Sequence, residues 1–137
     1  MFKKALFLGI LSGLLAGLVS LCYAKLYINS LGDSSTGEGF FKVAKPVGII
    51  LSSLVGGILA AIGYWALDKW LKQKGEIVFN FVFVILSFLT TLGAFGAKLP
   101  LDIASPELFP GMVIPMHFFP ALAWFTLRPL FFRQRPA

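Results

Sequence analysis

The sequence predicts an all-α fold, an integral membrane four-helix bundle that forms one domain over residues 1–137. Three observations carry this expectation. Hydrophobic residues make up 58% of the chain, above the roughly 45–50% of soluble domains, and the mean hydropathy is +0.86. The apolar residues fall in four long blocks, and a helical span needs about 20 of them to cross a hydrocarbon core about 30 Å thick. The basic residues, which give a net charge of +6, stand at the ends of those blocks. Anionic lipid headgroups are their natural partners there, and nucleic acid is not expected.

The first block covers residues 5–27. MFKKALFLGILSGLLAGLVSLCYAK also has the two lysines and apolar core of a secretory signal peptide, but the apolar stretch is long for that role and favours retention as a span. LVSLC resembles a lipoprotein cleavage box, with Leu21 where a small residue belongs before the cysteine. The second block covers residues 46–67, with Pro46 starting the span, and the third covers residues 77–97. The third is rich in β-branched and aromatic residues that favour strands in water. Burial in lipid overrides that preference, because a helix satisfies every backbone group internally. None of the blocks alternates as a barrel strand would. The fourth, residues 111–127, is the shortest and contains Pro115 and Pro120.

Flanking cations set the orientation. With both termini cytoplasmic, that side holds Lys3, Lys4, Lys69, Lys72, Lys74, Arg128, Arg133 and Arg135. The other side holds Lys25, Lys42, Lys45 and Lys98, offset by Asp33, Glu38, Asp102 and Glu107. The expected placement is N-in and C-in, in a bacterial cytoplasmic (inner) membrane. DKWLKQKG makes a tight hairpin between the second and third spans. In the first outer loop Ser35 and Glu38 have capping-box spacing, and FFKVAK suits the interface. The second outer loop, KLPLDIASPELFPG, carries three prolines and is expected to be irregular or briefly helical.

Small residues recur at four-residue spacing, as in a glycine zipper: Gly9, Gly13 and Gly17 in the first span, and Gly48, Ser52, Gly56 and Ala60 in the second. Such stripes let helix backbones approach closely. The expected contact is between these two helices within one bundle; the alternative is that one stripe joins a second copy or a protein partner. Trp65, Trp70 and Tyr64, together with Trp124, are placed at the inner headgroup level, and Tyr23 and Tyr27 at the outer level. RPLFFRQRP reads as an interfacial anchor.

Ionisable groups inside spans are functional candidates, and these spans hold few. Lys25 lies near enough to an end to snorkel. Asn80, Ser87, Thr90 and Thr91 are neutral, and no carboxylate stands at mid-span, which argues against a proton-coupled pump. His117, the only histidine, is the exception. Sequence places it one to two turns inside the outer end of the fourth span, near Asp102 and Glu107 in depth. Pro120 frees the carbonyl of Met116 there, so His117, Asp102 and Glu107 are expected to form a polar cup that could take a ligand. The structural alternative is a neutral imidazole bonded to a freed carbonyl or a hydroxyl of the third span. Met112, Met116 and His117 are soft ligand types that could suit copper, but His117 is turned about 100° from Met116, given 3.6 residues per turn. No second axial ligand for haem is evident, and no cofactor or metal is expected. Cys22 is the only cysteine, which excludes an internal disulfide or a cysteine metal cage, and a thiol in an apolar span is inert. Neither a phosphate loop nor an H-E-x-x-H motif is present.

The stretch FPGMVIPMHFFPALAWF, with Met116-His117 opening the last helix, resembles a family of small bacterial four-helix membrane proteins catalogued as a domain of unknown function. Pro115 and Pro120 depart from that pattern. The resemblance implies the four-span plan and supplies no activity.

The leading expectation is a non-enzymatic accessory or scaffolding component of a membrane complex, in contact with lipid and a possible protein partner. The alternative is a binder or carrier of a small hydrophobic molecule near His117. A lipid-modifying enzyme using His117 with Asp102 or Glu107, and a channel formed by an oligomer, come behind these.

Overall fold

The computed structural model describes residues 1–132, and Arg133 and Arg135 lie outside them. Six α-helices are present among the described residues: α1 (Phe2–Leu31), α2 (Ser34–Val43), α3 (Pro46–Leu71), α4 (Gly75–Gly96), α5 (Phe109–Met116) and α6 (Phe119–Phe131). No strand is found among them. Four segments are long and apolar enough to cross a membrane: α1, α3, α4 and the pair α5–α6, with the last counted from Pro106 to Phe131. The chain therefore has the make-up of an integral membrane protein arranged as a four-helix bundle. The fourth span is longer than residues 111–127, because Pro106–Leu108 forms a 3₁₀ turn that leads into α5.

Helix α1 is the centre of the bundle and packs on α3, α5 and α6. Its buried face reads Ala5, Leu8, Gly9, Ser12, Gly13, Ala16, Gly17, Ser20 and Ala24, small residues at helical spacing. Backbones touch along it. A Cβ on Gly13 would lie 2.8 Å from Leu54 Cα, and one on Gly17 would lie 3.1 Å from Ile50 Cα. At Gly9 it would meet the Gly57 carbonyl and come 2.8 Å from Ala61 Cβ.

The expected α1–α3 contact therefore forms, but through a different stripe of α3. Ser53, Gly57 and Ala61 are buried against α1. At Gly48 and Gly56 the space within 4 Å of where a Cβ would stand is open, and Ser52 is exposed. The physical reason is in the doublets Ser52-Ser53, Gly56-Gly57 and Ala60-Ala61. They write two small-residue stripes one position apart, about 100° around the helix, and only one can face α1. Ala60 still reaches the core beside Tyr64 and Trp124.

Helix α1 ends at Gly32, whose φ of 70° is the left-handed cap geometry. Asp33 then caps α2: its carboxylate accepts from the Ser35 N–H at 3.0 Å and from the Thr36 hydroxyl at 2.7 Å. This replaces the expected Ser35–Glu38 box, since the cap lies two residues earlier. Phe40 is fully buried and meets Phe109 edge-on at 5.4 Å, fastening α2 over the adjacent end of the bundle.

At the opposite end, Gly75 fits against Asp68, where a Cβ would lie 2.7 Å from Asp68 Cα, and so closes the hairpin between α3 and α4. Trp124 is not a headgroup-level ring. It is fully buried among Leu8, Ala61, Tyr64 and Phe79, because α6 continues to Phe131 and carries it inside. Arg128 is not a free anchor either: it pairs with Glu76 on α4 and stands over the Tyr64 ring, 5.6 Å from its centroid. Trp70 is exposed and Trp65 half-buried, edge-on to Phe2. Helix α4 has the fewest buried residues of the four spans for its length, Gly75, Phe79, Ser87, Thr91 and Ala94.

Candidate functional site: a cavity at a broken helix

The fourth span breaks at His117 and Phe118, between α5 and α6. Two prolines cause it. Pro115 has no N–H for the Gly111 carbonyl, and Pro120 has none for Met116. The chain tightens between them: the His117 N–H turns to the Ile114 carbonyl and the Phe118 N–H to Pro115, both at 3.1 Å. Each is an i−3 bond of 3₁₀ type.

Freed carbonyls need donors when water is scarce, and side chains supply them. Tyr23 donates to the freed Gly111 carbonyl at 2.9 Å, while Tyr27 adds a second bond to the Leu108 carbonyl, which no proline frees, also at 2.9 Å. These tyrosines tie α1 to the fourth span, a role the expected headgroup placement did not include. His117 Nδ1 lies 3.0 Å from the Val113 carbonyl. A carbonyl only accepts, so Nδ1 carries the proton and Nε2 of the neutral ring keeps its lone pair. The imidazole thus takes the carbonyl released by the 3₁₀ shift, Val113, where Met116 was expected.

His117 borders a cavity of about 590 Å³. Its back wall is buried: Ser20 of α1, Ile49 and Ser53 of α3, Ser87 of α4 and Met116. Its rim residues Gly48 and Ser52 on α3, and Leu86 and Thr90 on α4, are exposed, so it opens between those two helices. It runs along α3 from Lys45 to Gly56, about 16 Å at helical rise. The unused stripe of α3 is therefore the wall of a cavity.

Most of the lining is apolar, and its polar groups are neutral below the rim. Ser52 donates to the Ile49 carbonyl at 3.1 Å, Ser87 to Phe83 at 2.9 Å and Thr90 to Ser87 at 2.9 Å. Ser20 is different. Its side chain is fully buried, and its Oγ has no hydrogen-bond partner among the described residues. Lys45, exposed at the mouth, is the one charged residue in the lining.

The expected cup is not assembled. Asp102 faces Lys42 at 3.9 Å, both side chains well exposed, and Glu107 is exposed in the 3₁₀ turn. Neither borders the cavity. The loop after α4 is held elsewhere, with Ile103 packed on Gly39 of α2. Met112 is fully buried in the apolar cluster with Ala24, Phe40 and Phe109, so only Met116 of the two methionines reaches the cavity. The copper set does not converge. His117 also lies deeper than expected, with 11 residues of the Pro106–Phe131 span before it and 14 after.

Ser20 and Ser53 were not singled out by sequence. The signal for them is a hydroxyl at helical spacing within a stripe of glycine and alanine. No family model, curated protein or solved structure matches the chain, so the site stands on its own geometry.

Proposed function

We propose that this protein is a membrane-embedded binder or carrier of a small, largely apolar molecule that enters the cavity between α3 and α4. The observation that carries the reading is the cavity itself, which lies at the break in the fourth span and has His117 and the Ser53 hydroxyl in its wall. A bound molecule with a polar head would meet these groups while its apolar body meets the rest of the lining. Discontinuous helices near mid-span are a recurrent way of building such sites in lipid, and pockets between bundle helices are common ligand sites.

Orientation belongs to the same proposal. Lys3, Lys4, Lys69, Lys72, Lys74 and Arg128 gather at the end of the bundle with the α3–α4 hairpin. The positive-inside rule then puts both termini in the cytoplasm of a bacterial inner membrane, and the mouth at Lys45 on the outer side.

The accessory or scaffolding reading draws support from the lightly packed α4, whose Phe81, Ile85, Phe88, Leu92 and Phe95 are exposed. Its support from the first glycine stripe is weaker, because Gly9, Gly13 and Gly17 are occupied by α3. Native mass spectrometry of the protein extracted in mild detergent separates the two. One discrete small molecule per chain, lost in His117→Ala, supports the binder; a stoichiometric protein partner with no small molecule supports the scaffold.

A further inference from the structure

The hydrogen-bonding capacity of the cavity narrows the ligand. Ser52, Ser87 and Thr90 each spend their hydroxyl hydrogen on a carbonyl of their own helix, so toward the cavity they offer oxygen lone pairs. His117 spends Nδ1–H on Val113 and offers the Nε2 lone pair. Ser20 has spent nothing, but its Oγ is closed off from the cavity by its neighbours. Ser53, in the same wall, makes no side-chain hydrogen bond among the described residues and is the hydroxyl left to donate. The walls thus hold an excess of acceptors with one free hydroxyl donor within reach. No charge stands beside them below Lys45 at the mouth.

A carboxylate at this depth would face lone pairs with no cation, and an ammonium would find no carboxylate. Either is costly in an apolar setting. A ketone or ether only accepts, so it can satisfy Ser53 and leaves the imidazole unmet. A hydroxyl both donates and accepts, and it matches the set. We infer that the cavity takes a neutral amphiphile with an alcohol or phenol head, its O–H donated to His117 Nε2 and its oxygen accepting from Ser53, with the apolar body between α3 and α4. This rests on the binding reading proposed above.

His117 is the only histidine, so imidazole-¹⁵N labelling of the tag-free full chain gives a single ring to observe. The probes are 1-decanol, decyl methyl ether and decanoate, titrated into detergent-solubilised protein at about pH 8.5, above the range in which imidazoles ordinarily titrate. The expected result is a saturable shift of Nε2 with decanol, and about tenfold weaker binding of the ether and of decanoate, the scale of one buried hydrogen bond. Ser53→Ala should weaken decanol by about the same factor. Its ligand-free unfolding temperature should hold, since no hydrogen bond of the folded protein is removed.

Equal saturation by decanol and its ether would overturn the alcohol assignment and leave an apolar binding site. Decanoate saturating first would overturn it in favour of an anion held at Lys45. No saturable response to any of the three would overturn the binding reading itself.

Discussion

Tyr23 of α1 donates its hydroxyl to the Gly111 carbonyl at 2.9 Å, the same carbonyl that Pro115 leaves without a helical partner. The break in the fourth span is thus stitched to α1 by a side chain. Tyr23→Phe should destabilise the bundle by about 1–2 kcal/mol, because the carbonyl is left unpaired. In a Pro115→Ala background the same change should cost little, since residue 115 then has its own N–H. A double-mutant cycle read by reversible unfolding checks the non-additivity.

The two stripes of α3 predict opposite tolerance. At Gly13, opposite the packed stripe, Ala would set a Cβ 2.8 Å from the Leu54 backbone. The helices must move apart, at a cost of about 1–3 kcal/mol. At Gly48 nothing lies within 4 Å, and Ala should leave the unfolding midpoint nearly unchanged. Thermal unfolding of both variants in one detergent makes the comparison.

Arg128 and Glu76 hold α6 to α4 at the hairpin end. Arg128 is largely buried, whereas Glu76 is partly exposed and screened. Glu76→Gln should cost about 1–3 kcal/mol, since it strands a mostly buried cation. Combining it with Arg128→Met should recover much of the loss, and unfolding of the three variants tests this.

Asp33 caps α2 outside the spans, and hydrogen bonds from Thr36 and Ser35 lower its pKa from 3.8 to about 2. A depressed folded-state value means that the cap's contribution is fully present above about 3.8 and is lost as pH falls through about 2. Carboxyl NMR of Asp33 should show titration near that lower value, and Thr36→Val should move it upward.

Four spans were legible because a run of some 20 apolar residues has few other solutions. The break at His117 was legible too, since two prolines in one span remove two donors. Which carbonyl the imidazole takes was not, because it depends on the 3₁₀ shift of residues 117 and 118. The register of α3 was ambiguous for a different reason: paired small residues at 52–53, 56–57 and 60–61 satisfy either stripe equally well. Asp102 and Glu107 were grouped with His117 by sequence depth. Their positions are decided by long-range packing of Ile103 on α2, which local pattern does not carry. Trp124 was misplaced because its depth follows from where α6 ends.

The most direct test of the cavity as a binding site is to fill it from a position that the fold leaves free. Gly56 borders the cavity and has nothing within 4 Å of where its Cβ would be. Native mass spectrometry of Gly56→Leu beside the wild type, both extracted from membranes in mild detergent, reads the outcome. The wild type should carry one discrete small molecule per chain, and the variant should be folded and empty. A folded Gly56→Leu variant that keeps the same bound molecule, or a wild type that carries bulk lipid alone, would contradict the assignment.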